Sequence, residues 1–292
     1  MKSQDERVYT RKNHRRVKSM HPMDYVSPYI MVERSEASNY FSDTVDAGPI
    51  DTYMRQKRKE DMPELGLHHI LLAAYVRTVA ERPGINRFIR GQKVYARDRI
   101  VVNMAIKRNM ALNAQETILK MVFKPDDTVK EVYEIFQKTY NESVGDDVET
   151  GFDSAAKIIN YIPGLIKKFV VWLLKLLDYF GLLPNGLTNV SPFHGSLFIT
   201  SMGSLGIRPI YHHLYNFGNL PVFVAYGNKR MELTLDDEGN VHKKRMVDIK
   251  VVTDERICDG YIYASAFKTI RNLLEHPKVL EQPPEVVRED ID

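Results

Sequence analysis

Cysteine is almost absent from this sequence, since the chain of 292 residues contains only one, Cys258. A single cysteine excludes a disulfide within the chain and any zinc site built from cysteines. This usage is typical of a reducing compartment, and we expect a cytoplasmic protein. The first residues are polar and basic without an apolar stretch, so they do not have the pattern of a secretory signal.

The sequence also has little net charge and lacks the motifs of several common classes of site. Its 41 basic and 38 acidic residues give a formal net charge of +3, well below the excess typical of nucleic-acid-binding proteins. It contains no glycine-rich phosphate loop, no H-E-x-x-H zinc motif and no nucleophile elbow. We therefore expect neither a nucleic-acid partner nor a bound metal.

The hydrophobic content of 43% is enough to fill a substantial core. We predict one domain over residues 25–280, preceded by a basic arm at residues 1–24. Such arms are mostly solvated tails, and contact with a membrane surface or another polyanion is the alternative. Residues 281–292 form an acidic tail that we predict to be disordered. The basic residues of the arm are Arg7, Arg11, Lys12, Arg15, Arg16 and Lys18.

Hydrophobic periodicity predicts a mixture of helices and strands. Helices are predicted at residues 50–60, 67–80 and 128–141, and a last helix is predicted to begin at Gly260 and to end at His276-Pro277. Asp51 is the predicted N-cap of the first of these helices. Strands are predicted at residues 25–35, 37–46, 99–106, 117–124 and 220–226, and a hairpin at 231–235 and 241–253.

A tight turn connects the last predicted strand to the last helix. Asp254, Glu255, Cys258 and Gly260 lie on this turn, and site chemistry favours such positions because a rigid strand end holds the side chains. The simpler interpretation is an ordinary turn, in which Asp259 binds backbone amides and Gly260 has a positive φ.

Two segments resemble the superfamily of chloramphenicol acetyltransferase and the 2-oxoacid dehydrogenase acyltransferases. Arg256-Ile257-Cys258-Asp259-Gly260 is similar to the family's signature of a histidine, three residues and Asp-Gly before a helix. Residues 196–206, Ser-Leu-Phe-Ile-Thr-Ser-Met-Gly-Ser-Leu-Gly, are similar to its strand "Gly-x-Phe-x-Ile/Val-Ser-x-x-Gly-x-x-Gly". The likeness extends more weakly over residues 50–277. It implies a chloramphenicol-acetyltransferase-like α/β fold: a two-layer sandwich of a mixed sheet and helices in a single domain.

The resemblance also implies a chemistry. Enzymes of this family transfer an acyl group from a coenzyme A or lipoyl thioester to a hydroxyl or thiol acceptor, and they act as homotrimers with each site at a subunit boundary. The sequence contains no lipoyl-bearing segment, so we expect a coenzyme A thioester. The family's oxyanion-stabilising hydroxyl matches Thr200, and Ser201 is the alternative. Successive strand residues face opposite sides, so we expect only one of the two to point at the site, and we favour Thr200. Its structural aspartate, held by an ion pair, matches Asp259 in the Asp259-Gly260 motif.

The family's catalytic histidine falls on Glu255, which leaves three interpretations. Glu255 could be a base retuned by burial, because an unperturbed glutamate with a pKa of about 4.3 is a weak base beside imidazole. A histidine elsewhere, such as His194, His212 or His213, could replace it. Otherwise the chain would be a catalytically degenerate member of the family, a possible pseudoenzyme that acts as a binding or scaffold protein.

Residues 145–189 depart from the family as an apolar helical insertion. Its segment 155–184 carries a wide apolar stripe, but the charges at Lys167, Lys168 and Lys175 and the Pro163-Gly164 break argue against a membrane-spanning helix. Such a helix would pack as a lid on the fold or on a neighbouring subunit, lie at a membrane surface as a peripheral contact, or dock a separate protein partner.

Overall fold

The protein is described from a computed structural model that defines residues 14–107, 116–143 and 160–292. The strands are β1 (His14–Arg16), β2 (Ser38–Asp46), β3 (Phe88–Arg90), β4 (Lys93–Arg97), β5 (Ile100–Lys107), β6 (Glu116–Phe123), β7 (Leu197–Ser201), β8 (Val222–Leu235) and β9 (Val241–Asp254). The α-helices are α1 (Pro22–Ile30), α2 (Gly48–Glu60), α3 (Leu67–Glu81), α4 (Val129–Ser143), α5 (Gly164–Tyr179), α6 (Asn185–Val190) and α7 (Gly260–Glu275). Short 3₁₀ helices cover Pro83–Asn86, Gly203–Leu205 and Pro277–Glu281.

A six-stranded mixed sheet forms the centre of the molecule, in the order β2-β9-β8-β7-β5-β6. Strand β7 runs parallel to both β5 and β8, whereas the pairs β2/β9, β8/β9 and β5/β6 are antiparallel. A smaller antiparallel sheet has the order β1-β4-β3. The prediction of a mixed sheet with helices is confirmed.

The main core lies between one face of this sheet and the helices. Every residue of α3 from His69 to Ala80 is buried, because this helix packs against α4 and α7 as well as over the sheet. The opposite face of the sheet holds a second, smaller cluster, in which Leu214 and Leu220 from the connection before β8 cover Phe198 and Phe223. Thr200 follows Phe198 at strand spacing, which places it on the same face.

The predicted strand at residues 25–35 is wrong, because the chain forms helix α1 there. Pro22 occupies the first turn, where its fixed φ suits a helix, and the His21 side chain accepts a hydrogen bond from the Met23 N–H at 3.3 Å. Tyr25, Val26 and Tyr29 favour strands locally, but the cap and the proline determine the outcome.

The other predicted elements are found with shifted boundaries. Residues 220–226 and 231–235 belong to one strand, β8, which has an irregularity between Tyr226 and Lys229. Asp51 is not the N-cap of α2, a position held by Ala47; its carboxylate pairs instead with Lys229 and, at 2.8 Å, with Arg245. The β8–β9 hairpin is confirmed.

The terminal segments are part of the folded body where they are described. Residues 14–16 pair with β4, so the folded region begins before residue 25, while Arg7, Arg11 and Lys12 lie outside the described residues. The predicted disorder of residues 281–292 is wrong. Asp290 accepts hydrogen bonds from Arg87 at 2.5 and 2.7 Å, and the Arg288 N–H donates to the Ala80 carbonyl at 2.8 Å.

Candidate active site

The turn after β9 is held by the carboxylate of Asp254. Its side chain is 1% exposed and accepts from Arg256 Nε and Nη2, both at 2.8 Å, and from Arg34 Nε at 3.3 Å. The Arg256 backbone N–H also donates to it, at 3.2 Å. Burial lowers the pKa of Arg34, and the negative charge of Asp254 opposes that shift. The strand end and the loop that carries Arg34 are therefore joined by a buried ion-pair network.

Glu255 points away from this network and is exposed to solvent. Its backbone N–H donates to the Ala37 carbonyl at 2.9 Å, which fixes the main chain and leaves the carboxylate outside. Glu255 does not line the large cavity described below. Within one chain, the position that matches the family's histidine is thus separate from the predicted oxyanion residues.

Asp259 and Gly260 form the start of α7. The Asp259 carboxylate accepts a hydrogen bond from the Ile262 N–H at 2.8 Å, as an N-cap, which agrees with the simpler interpretation of the turn. The ion pair assigned to Asp259 by resemblance is made by Asp254 instead. Gly260 is the first helical residue and does not have the expected positive φ.

Cys258 is buried beneath the turn. Burial raises the pKa of its thiol, and the nearby Arg87 opposes this shift only in part. A buried, protonated thiol is a poor nucleophile. The side chain therefore has a packing role, as a member of the main core.

A cavity of about 710 Å³ lies where β7 ends, within the size range of ligand pockets. Thr200 and Ser201 both belong to the residues that line it. Ser201 is the last residue of β7, so the cavity adjoins the end of this strand. The other lining residues include Lys107, Tyr140, Met202, Ser204, Tyr215, Phe223 and Tyr226.

Ser201 and Tyr226 form a polar pair on one side of this cavity. A hydrogen bond joins their side chains, and burial raises the pKa of Tyr226 to about 12. The phenol therefore stays protonated near neutral pH, and the Ser201 hydroxyl has a partner within the protein. Of the two strand hydroxyls, Ser201 is the one committed to this internal contact.

Two of the three histidines considered as substitutes line the same cavity. His212 stacks on Phe223, with ring centroids 4.4 Å apart and planes inclined by 13°. Its Nε2 is buried and has no hydrogen-bond partner. Burial, with a smaller effect from His213, lowers the pKa of His212, so the ring is neutral and can accept a proton. His213 is exposed and contacts the Tyr215 ring edge-on at 4.6 Å.

His194 is buried elsewhere and serves a structural purpose. Its Nδ1 lies 2.8 Å from Ser191 Oγ and its Nε2 lies 3.2 Å from Asp178, the last charged residue of α5. Burial lowers the pKa of His194, and the hydrogen bond to Asp178 opposes this. Both ring nitrogens are occupied, so His194 connects the insertion helix to the body of the protein.

Lys120 is a half-buried lysine that the sequence does not single out. Its ammonium donates to the carbonyls of Thr188 and Ser191, at 2.7 and 2.8 Å, which fixes the segment that leads into β7. Burial lowers its pKa to about 7. Neither Lys120 nor the orphan nitrogen of His212 leaves a signal in the sequence, because both depend on contacts between distant segments.

The described part of the chain holds no cluster of three or more side chains suited to a metal ion. The cavity is lined by hydroxyl side chains, by Lys107 and by three imidazoles, those of His68, His212 and His213. This arrangement can stabilise an oxyanion and accept a proton.

No protein-family model matches the chain, and no curated protein matches it. Several solved structures, however, match the chain over most of its length. A probable dihydrolipoamide acetyltransferase from Listeria monocytogenes aligns with a TM-score of 0.55 at 16% identity, over 89% of this chain and 95% of that one. The dihydrolipoamide acetyltransferase of Azotobacter vinelandii gives 0.53 at 13% identity, over 90% and 93%. A chloramphenicol acetyltransferase gives 0.51 at 12% identity, over 86% and 94%.

The chain therefore has the fold of the dihydrolipoamide acetyltransferases and of chloramphenicol acetyltransferase. The alignments cover nearly the full length of those chains, so the common fold is complete. Identities of 12–16% establish the fold and leave the reaction to be argued from the site.

Proposed function

We propose that this protein transfers an acyl group from a coenzyme A or lipoyl thioester to a hydroxyl or thiol acceptor. One observation carries the proposal: the Thr200 hydroxyl and the unpartnered Nε2 of His212 belong to residues that line one cavity of about 710 Å³. The shared fold supports the same chemistry, and the Azotobacter vinelandii enzyme has been studied for the roles of a serine and a histidine in its catalytic mechanism.

The reaction needs a base, an electrophile and a group that stabilises negative charge. The base removes the proton from the acceptor, whose oxygen or sulfur attacks the thioester carbonyl and forms a tetrahedral oxyanion. The Thr200 hydroxyl donates a hydrogen bond to this oxyanion. When the intermediate collapses, the carbon–sulfur bond breaks, and the leaving thiolate takes the proton back from the base.

His212 is the base that the geometry of one chain favours. His212 lines the cavity, its buried Nε2 has no hydrogen-bond partner, and its lowered pKa keeps the ring neutral at neutral pH. Glu255 could contribute only if a homotrimer brought it to the cavity from a neighbouring subunit, as the family resemblance implies for sites at subunit boundaries. A solvent-exposed glutamate is also the weaker base.

The test is the turnover of acetyl-coenzyme A with a panel of hydroxyl and thiol acceptors, measured as released thiol. His212→Asn should lower kcat/KM by about 10²–10⁴-fold, since general-base catalysis is worth that much. Thr200→Val should lower kcat by about 10²–10³-fold through loss of the oxyanion contact. His213→Asn and Ser201→Ala are the matched controls, and each should keep most of the activity.

The pH profile distinguishes the two candidate bases. A His212 base predicts a kcat/KM that falls only below about pH 6.5, the ordinary histidine value, because burial lowers the pKa. Glu255→Gln should then leave the activity nearly unchanged. If Glu255→Gln abolished the activity while His212→Asn stayed active, the general base would be Glu255 and not His212.

A second candidate function is a binding or scaffold protein without catalysis. The exposed position of Glu255, where the family resemblance implies a histidine, favours it. Coenzyme A would then bind, but acetyl-coenzyme A would release no thiol with any acceptor tested. Binding of coenzyme A by calorimetry, combined with the absence of thiol release, would support this candidate over acyl transfer.

A further inference from the structure

Helix α5 carries a long row of exposed apolar side chains. None of its residues is buried, although the helix is made mostly of large apolar side chains. Four of them, together with Phe180 just past the end of the helix, follow one line at spacings of three or four residues. They are Leu165, Phe169, Trp172, Leu176 and Phe180, with exposed fractions of 86%, 59%, 54%, 39% and 63%.

The opposite side of α5 faces the body of the protein. Val170, Leu174 and Leu177 are only half-exposed there. Asp178 accepts from the Gly218 N–H at 3.1 Å and contacts His194, so the one acidic side chain of the helix is turned inward. The orientation of α5 is therefore fixed, and its apolar line points outward.

The outward face carries positive charge along one border. Lys168 and Lys175 are seven residues apart, both are exposed, and both lie beside the apolar line on a helical projection. A groove of about 110 Å³ adjoins the end of α5 and is lined by Arg90 as well as Lys175. Val32, which is also exposed, lines the same groove and continues the apolar surface.

We propose that α5 lies in the interface of a membrane that contains anionic lipids. An apolar stripe bordered by lysines matches acyl chains beside anionic headgroups, and tryptophan favours that boundary. The helix has 16 residues and a length of about 24 Å, and no helix of the described residues is both long and apolar enough to cross a membrane. An antiparallel two-fold contact between two copies of α5 would set the lysine borders against each other, which disfavours that arrangement.

Trp172 provides a direct measurement, since it is the one tryptophan of the sequence. Vesicles of phosphatidylcholine with phosphatidylglycerol should shift its emission to shorter wavelength and should pellet the protein at low salt. Vesicles of phosphatidylcholine alone should do both more weakly. This experiment does not depend on acyl transfer, so its result stands whether or not the protein is an enzyme.

The decisive variant is Leu165→Ser with Phe169→Ser, which keeps Trp172 as the reporter. We expect at least about a tenfold weaker association with anionic vesicles, since the free energy of binding scales with buried apolar area. Val279→Ser with Val286→Ser, two exposed residues elsewhere, is the matched control and should bind as the wild type does. Lys168→Glu with Lys175→Glu should remove the preference for anionic lipid.

Three outcomes would overturn the proposal. The first is that the wild-type protein neither pellets nor changes its emission at low salt. The second is that Leu165→Ser with Phe169→Ser binds vesicles as well as the control does. The third is that these substitutions change the molar mass in solution without affecting vesicle binding, which would make the stripe an interface between copies. Unchanged circular dichroism and an unchanged urea midpoint would show that the variants are folded, as expected for exposed positions.

Discussion

At the scale of single residues, Asp254 and Glu255 have opposite environments although they are neighbours. Asp254 is enclosed by two guanidinium groups at the end of β9, while Glu255 is in solvent. The pattern of alternating residues in β9 predicts that one of the pair faces inward. The sequence does not show that Arg34, 220 residues away, completes the ion pair.

Asp254→Asn should destabilise the protein by about 3–5 kcal/mol, because it removes the charge that compensates two buried guanidinium groups. The free energy of unfolding from urea titration measures this. Glu255→Gln, one residue further and exposed, is the control and should change that free energy by less than about 0.5 kcal/mol. Equal effects of the two substitutions would show that the buried network does not hold the turn.

The candidate site itself was predictable only in part. The strand that carries Thr200 and Ser201 could be located from its sequence, because its residues and its glycine turn are adjacent in the chain. The cavity also needs His212 and Tyr226, which arrive from other segments and are fixed by packing on Phe223 and by the bond to Ser201. Within one chain Glu255 does not line this cavity, and periodicity carries no information about contacts between chains.

At the scale of elements, the prediction succeeded where hydrophobic periodicity was strong and failed where a local contact competed with it. Helices α3, α4 and α7 and the β8–β9 hairpin were located within a few residues. The α1 segment was misassigned because its β-branched and aromatic residues outweighed the cap at His21. The C-terminal residues were misassigned because their order depends on Arg87 and other distant partners.

The first turn of α7 gives a prediction at this scale. Asp259→Ala should cost about 1 kcal/mol of stability, the usual value of a lost N-cap. Gly260→Ala should be tolerated, because its φ is not positive and no atom lies within 4 Å of an added Cβ. Asp237→Ala, an exposed carboxylate in the hairpin turn, is the control for loss of charge. A larger effect at Gly260 than at Asp259 in thermal unfolding would contradict this account.

At the scale of the whole molecule, the β8–β9 hairpin carries exposed apolar side chains on one face. Met231, Leu233 and Leu235 alternate along β8, and all three are more than half exposed. Contiguous apolar surface of this kind is typical of protein–protein contacts. The family resemblance implies a homotrimer, and this hairpin is a surface on which the chains could meet.

We expect light scattering to give a molar mass of three chains for the wild-type protein. Leu233→Ser with Leu235→Ser should shift the mass toward that of one chain, whereas Val279→Ser with Val286→Ser should not. A wild-type mass of one chain, independent of concentration, would rule out the trimer and with it any contribution of Glu255 from a neighbouring subunit. The fold of one chain was predictable from the family resemblance of residues 196–206 and 254–260, but assembly depends on surfaces whose partner the sequence does not specify.

The buried thiol of Cys258 has a practical consequence for measurements on this protein. Because it is the one cysteine in the sequence and lies in the core, a thiol-reactive dye added to the folded protein meets no accessible sulfur. Colour that develops during turnover therefore reports released coenzyme A without a background from the protein. In denaturant the same dye titrates one sulfur per molecule, so a single reagent can follow catalysis in the folded protein and count the molecules that have unfolded.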